Sequence, residues 1–200
     1  MAARIHLVRH GEVHNPRHLV YASLPGFDLS PEGLEQARSA ARYLGRQPIV
    51  AVWASPLERA LRTAELIATR SGLPVRVDQG LREWRLMDRW AGASWDDLPE
   101  RFPGELEAYL ERPTDLAFSP ERLDDLAGRM AETLRRLESG YVHGDVVVVS
   151  HSGPLRAAVL ALTGTALEDF WEDDPRHCSV TTMQPGSTWS VETVWAPVSP

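Results

Sequence analysis

Cysteine is almost absent. Cys178 stands alone among 200 residues, so no disulfide can form within the chain, which fits a reducing compartment. The first residues lack the apolar core and small-residue cleavage site of an export signal. No apolar run is long enough to span a bilayer. These absences lead us to expect a cytoplasmic protein without a membrane partner. Positive charge is also short, with a formal net charge of -7. An acidic chain is a poor general binder of nucleic acid or anionic membrane, because both reward a basic surface. A site for a negative substrate must then be a local cluster of Arg and His in an acidic background. Among His14, His18, His143 and His177 we read no set of metal ligands, and no metal or other cofactor is expected.

Apolar residues make up 43% of the sequence and charged residues 24%. That is enough for one sizeable core, and residues 1–200 read as a single domain. Ile5 to Val8 is a short apolar strand ending in Arg9-His10-Gly11, and a Pro- and Gly-containing loop runs from Glu12 to Leu29. Ser30 reads as an N-cap with Pro31 at the first helical position. Leu34, Ala37, Ala41 and Leu44 recur at helical spacing, and Gly45 ends the run. A second strand, Ile49 to Trp53, leads into Ser55 and Glu58, whose spacing predicts a capping box with Pro56 inside it. Leu57, Leu61, Ala64 and Ala68 line the following helix up to Gly72, and Val75 to Val77 is a third strand.

From Gln79 to Pro120 the periodicity is weak, with one short helix expected around Glu105 to Leu110. Ser119-Pro120 signals the start of a helix lined by Leu123, Leu126, Met130, Leu134 and Leu137. The valines from Val146 to Val149 predict a strand buried on both faces, as in the middle of a parallel sheet. A helix through Leu162 follows Ser150-His151-Ser152-Gly153-Pro154. The end reads as a hairpin, Ser179 to Met183 and Trp189 to Trp195, turning at Pro185-Gly186. An edge around Val180 or Val191 would allow pairing into a homodimer. Alternating strands and helices predict an α/β fold. Ligands in such folds bind beyond the carboxyl ends of the strands, where Arg9-His10, the turn before Arg59, and His151 all fall.

Those residues suit phosphoryl chemistry. A neutral imidazole at His10 can attack phosphorus without a metal and split one displacement into two. The phosphoryl oxygens need fixed donors. Arg9 and Arg59 offer permanently charged forks, and His151 a further donor. Nearby arginines also disfavour protonation of His10. The leaving alkoxide needs a proton, for which Glu83, just past the third strand, is the candidate acid. Each residue alone has a bland reading: a strand-end turn, a solvated charge, an exposed acid. Cys178 reads as a small buried apolar residue, and the tryptophans as core or pocket wall.

Together, Leu7-Val8-Arg9-His10-Gly11-Glu12, Ser55-Pro56-Leu57-Glu58-Arg59-Ala60 with Thr63-Ala64, Leu81-Arg82-Glu83 and Ser150-His151-Ser152-Gly153 resemble the histidine phosphatase superfamily, in its phosphoglycerate-mutase-like branch. Trp90 to Trp95 and Cys178-Ser179-Val180 add to the likeness, which covers nearly the whole chain. The resemblance implies a three-layer α/β/α sandwich with a mostly parallel sheet. It implies His10 as phosphate acceptor, Arg9, Arg59 and His151 as phosphate ligands, Glu83 as proton donor, and Asn15 as an additional phosphate contact. Ala117-Phe118-Ser119-Pro120-Glu121 departs from the Gly-Glu-Ser segment of many relatives, and Pro16 to Leu29 departs as well. Both regions commonly wall the substrate pocket. The expected activity is hydrolysis of a small phosphorylated metabolite. The alternatives are a cofactor-dependent phosphoglycerate mutase, which usually has a longer C-terminal tail, and a non-catalytic phospholigand-binding module.

Overall fold

A computed structural model describes residues 1–198. Six strands form one sheet: β1 (Arg4–Arg9), β2 (Ile49–Ala54), β3 (Val75–Val77), β4 (Asp145–Ser150), β5 (Val180–Gln184) and β6 (Ser190–Trp195). Their order across the sheet is β3-β2-β4-β1-β5-β6. The first four are mutually parallel, and the terminal hairpin β5–β6 joins antiparallel. This is the mostly parallel α/β sheet that the alternating pattern predicts.

The valines of β4 explain the layering. Side chains alternate across a strand, so Val146 and Val148 enter one core while Val147 and Val149 enter the other. Helices α1 (Pro31–Leu44) and α2 (Glu58–Ser71) close the second core, and α6 (Leu123–Ser139) and α7 (Ser152–Thr163) close the first. Ser30 caps α1 as its sequence predicts, its hydroxyl accepting from the Gly33 amide at 2.9 Å. The irregular region contains α3 (Leu86–Arg89), α4 (Leu98–Arg101) and α5 (Glu105–Glu111). Only the last has a periodic signal in the sequence.

Three local expectations change. The capping box does not form: α2 begins at Glu58, and Leu57 occupies the cap without a side-chain bond. Glu58 accepts instead from the Gly26 amide, tying the long loop to the helix. Helix α6 begins at Leu123 rather than at Pro120, because Ser119 donates to the Glu121 carbonyl in a local turn. Val180 offers no free edge, since β5 is paired on both sides. Only β6 has an open edge on that side of the sheet, with Val191 and Val194 exposed. Among the described residues, no helix is long and apolar enough to cross a membrane.

Candidate active site

Three neighbouring strands, β2, β4 and β1, end side by side. The first residues past their ends are Ser55, His151 and His10. The backbone locks these ends together: the His10 amide donates to the Ser150 carbonyl at 3.0 Å, and the Ser55 amide to Val149 at 2.9 Å. Gly11 is required here. A Cβ on it would lie 2.6 Å from the Gly33 carbonyl oxygen, so only glycine lets the strand end pass against α1.

His10 is buried. Its Nδ1 lies 2.8 Å from the Gly11 carbonyl oxygen, which can only accept, so Nδ1 carries the proton. Its Nε2 accepts from Arg59 Nε at 3.2 Å. Both contacts select the same neutral tautomer, with the lone pair on Nε2. Burial above all, then Arg59 and Arg9, hold its pKa well below the ordinary imidazole value.

Arg59 projects from the first turn of α2 and is almost fully buried. Its guanidinium donates to the Ala22 carbonyl at 3.0 Å and packs 4.7 Å from the Tyr21 ring centroid. Ala22 holds a left-handed backbone, φ 43°, which turns that carbonyl toward Arg59 at some cost in strain. Ser55 serves His151 instead of a helix cap: its oxygen lies 2.8 Å from His151 Nε2. The Leu57 amide reaches the same oxygen at 3.4 Å, consistent with the hydroxyl donating to His151. The His151 proton then sits on Nδ1, which is buried without a partner and lies 3.7 Å from Glu83 Oε2.

Glu83 stands on a clamped turn. Ser150 donates to the Leu81 carbonyl, and Arg129 donates to the carbonyls of Gly80 and Arg82. Arg129 in turn pairs with Glu121, whose carboxylate also accepts from the Arg85 amide. The segment Ala117–Glu121 that departs from the usual pattern thus supports the turn bearing Glu83. Burial raises the Glu83 pKa, against the opposing pull of Arg59. Its side chain keeps 17% exposure.

Arg9, His10 and Glu83 line a cavity of about 300 Å³. Arg59 and His151 stand against His10 and Glu83 behind them. These five predicted residues come together. Asn15 does not join them: it is not among the cavity-lining residues, and its amide is engaged at both ends, donating to the Leu19 carbonyl and accepting from the Leu19 amide. It shapes the loop that delivers Leu19 to Ala22 to the cavity.

Trp171 lines the cavity as one of the tryptophans read as core or pocket wall, whereas other lining residues, among them Tyr109, Arg156 and Asp174, escape sequence reading. They lie on irregular segments or on a helix face whose pattern reads as ordinary. His177 packs its ring 5.7 Å from that of His10, and burial beside Arg9 lowers its pKa to about 4. Cys178 is fully buried, with its thiol pushed up to about 12 by that burial, as suits a packing residue. The described residues contain no group of three or more His, Cys, Asp or Glu able to hold a metal ion.

A sequence profile of the histidine phosphatase superfamily (branch 1) matches residues 5–195. Phosphoserine phosphatase 1 of Hydrogenobacter thermophilus is 33% identical, over 82% of this chain and 78% of its own length. The glucosyl-3-phosphoglycerate phosphatase of Mycolicibacterium vanbaalenii is 34% identical, over 84% of this chain and 77% of its own. A native structure of a mycobacterial glucosyl-3-phosphoglycerate phosphatase superposes with a TM-score of 0.84 at 27% identity, covering 98% of this chain and 99% of the other.

Proposed function

Since this chain belongs to the histidine phosphatase superfamily, we propose that it hydrolyses the phosphate monoester of a small metabolite through a phosphohistidine on His10. Relatives of named activity are phosphatases of small phosphorylated metabolites, which supports the reaction class. The observation that supports the residue roles best is the doubly fixed tautomer of His10, which leaves the Nε2 lone pair facing Arg59.

In this reading the phosphoryl group enters between Arg9, Arg59 and His151. Arg59 exchanges its contact with Nε2 for a phosphoryl oxygen, and His151 donates through Nδ1. Nε2 attacks phosphorus as the ester oxygen departs opposite it, and Glu83 gives that oxygen its proton. Glu83, now a carboxylate, then takes a proton from water attacking the phosphohistidine. Phosphate leaves, and His10 returns to its starting tautomer. Fixed donors aimed at developing charge are the main source of acceleration in such a site. Asn15 acts as a loop-shaping residue rather than a phosphate ligand.

The test is quenching in alkaline detergent during turnover of a ³²P-labelled monoester. The wild-type chain should retain alkali-stable, acid-labile label and release inorganic phosphate, whereas folded His10→Ala should do neither. Label retained at wild-type level by His10→Ala would refute the assignment. Transfer of the label to a second hydroxyl of phosphoglycerate, without phosphate release, would establish a mutase instead.

A further inference from the structure

The cavity beyond the phosphoryl position is walled by rings that support one another. Tyr109 meets Trp171 edge to face at 4.8 Å and Trp84 at 6.0 Å. The Trp171 indole donates to the Tyr109 carbonyl, and the Trp84 indole to Glu121. Met87 and Trp95 complete this wall. Such a wall is fixed before any ligand arrives, so contact with it costs little ordering.

The charges are already matched. Arg9 and Arg59 balance a dianionic phosphoryl group. Glu83 is pushed toward its neutral form by burial. The remaining cation lining the cavity, Arg156, is nine-tenths buried against Phe170 and Trp171 and is paired with Asp174. Asp174 also accepts from Ser152 and lies 3.6 Å from Arg9. A second anionic group on the substrate would therefore find no free cation in the wall and would meet the Asp174 carboxylate, with Glu172 and Asp173 next to it in sequence. An anion placed beside that carboxylate without a cation of its own is disfavoured by like-charge repulsion.

Resting on the phosphatase reading above, we propose that the preferred substrate is the phosphate monoester of an uncharged alcohol carrying an aromatic or apolar body. The Arg156–Asp174 pair acts as the element that rejects a carboxylate. The cavity, about 300 Å³, lies at the small end of the range for ligand sites, which limits that body to roughly one ring. This separates the chain from relatives named for phosphoserine and glucosyl-3-phosphoglycerate.

The experiment compares kcat/KM for 2-phenylethyl phosphate, glycerol 3-phosphate, 3-phosphoglycerate and O-phosphoserine, with p-nitrophenyl phosphate as the control for phosphatase activity. The phenylethyl ester should exceed each of the others by on the order of 10- to 100-fold, the usual discrimination of an apolar pocket. Asp174→Asn frees Arg156. Because it also raises the positive potential at Arg9 for every ester, the readout is a ratio: the preference for phenylethyl phosphate over 3-phosphoglycerate should shrink by about tenfold. Asp174 is 68% exposed, so the fold tolerates the change. Arg156→Gln should move the ratio the opposite way. Equal or better turnover of either carboxylate-bearing ester, equal turnover of glycerol 3-phosphate, or a ratio unmoved by both variants would overturn the proposal. Failure to turn over even p-nitrophenyl phosphate would instead overturn the phosphatase reading on which it rests.

Discussion

Arg59 Nε donates to His10 Nε2 across 3.2 Å, so a permanent cation sits on the lone pair proposed to attack phosphorus. The contact excludes a proton from Nε2 and marks where a phosphoryl oxygen would compete for the same guanidinium. It also makes Arg59 a structural group. The side chain is 1% exposed and is held by Ala22 and Tyr21 as well.

Arg59→Ala should lower kcat by roughly 10²–10³, the usual cost of removing one donor to a developing anion. Arg59→Lys should recover only part of the loss, because an ammonium cannot reproduce the planar fork that reaches His10 and Ala22 together. Initial rates on one alkyl phosphate, with circular dichroism to show folding, measure both. A fully active lysine variant would show that the fork geometry does not matter.

Acid should destabilise the fold from about pH 6.5 downward. His6, His10, His151 and His177 all have pKa values below the ordinary 6.5, chiefly through burial. Between their folded and unfolded pKa values the unfolded chain binds more protons, so stability falls as pH falls. Glu83 has a raised pKa and acts in the opposite sense, but it is one group against four. Urea midpoints should be flat from pH 8 to 7 and drop steadily toward pH 5. His177→Asn should shallow that slope, since its folded pKa of about 4 lies far from its unfolded one. A midpoint that rises on acidification would contradict the sign. The rate, by contrast, should persist below pH 6.5 wherever the protein stays folded, because His10 remains neutral there.

Turnover should survive exhaustive dialysis against a strong chelator. In the proposed mechanism, Arg9, Arg59 and the Nδ1 proton of His151 supply the charge and donors that a cation would otherwise provide. A rate lost on dialysis and restored by Mg²⁺ or Zn²⁺ would sink this prediction.

The side chains proposed to carry the chemistry are legible in the sequence because each sits within a few residues of a regular element. His10 follows β1, Arg59 opens α2, and His151 follows four valines whose alternation declares a two-faced strand. Such signals are local and periodic. Beyond the general reading of tryptophans as core or pocket wall, the cavity lining is not legible in this way. Tyr109, Trp171 and Asp174 come from short helices and turns, where position depends on distant contacts such as Trp171 with the Tyr109 carbonyl. Ser55 shows the other kind of loss: its capping signature is real, but the His151 imidazole takes its hydroxyl. Asn15 marks where a motif position and its surroundings part, since Leu19 engages both ends of its amide.

The sharpest prediction concerns Glu83. Its Oε1 accepts from the Trp84 amide at 2.9 Å, while Oε2 lies 3.9 Å from Arg59 and 3.7 Å from His151 Nδ1. One oxygen is anchored and the other faces the reacting groups. If Glu83 protonates the departing oxygen, its importance must track that oxygen's basicity. An alkyl phosphate leaves as a strongly basic alkoxide and needs the proton. A nitrophenyl phosphate leaves as a stable phenolate and scarcely needs it. Glu83→Gln preserves size and can keep the Trp84 contact, yet has no carboxylic proton to give. It should slow phosphoenzyme formation from an alkyl phosphate by roughly 10²–10⁴, the range for general acid catalysis, and from nitrophenyl phosphate by far less. Rapid-quench bursts isolate that step from the hydrolysis both substrates share. If Glu83 only holds Arg59 or His151 in place, both substrates slow by the same factor, and its role becomes one of positioning.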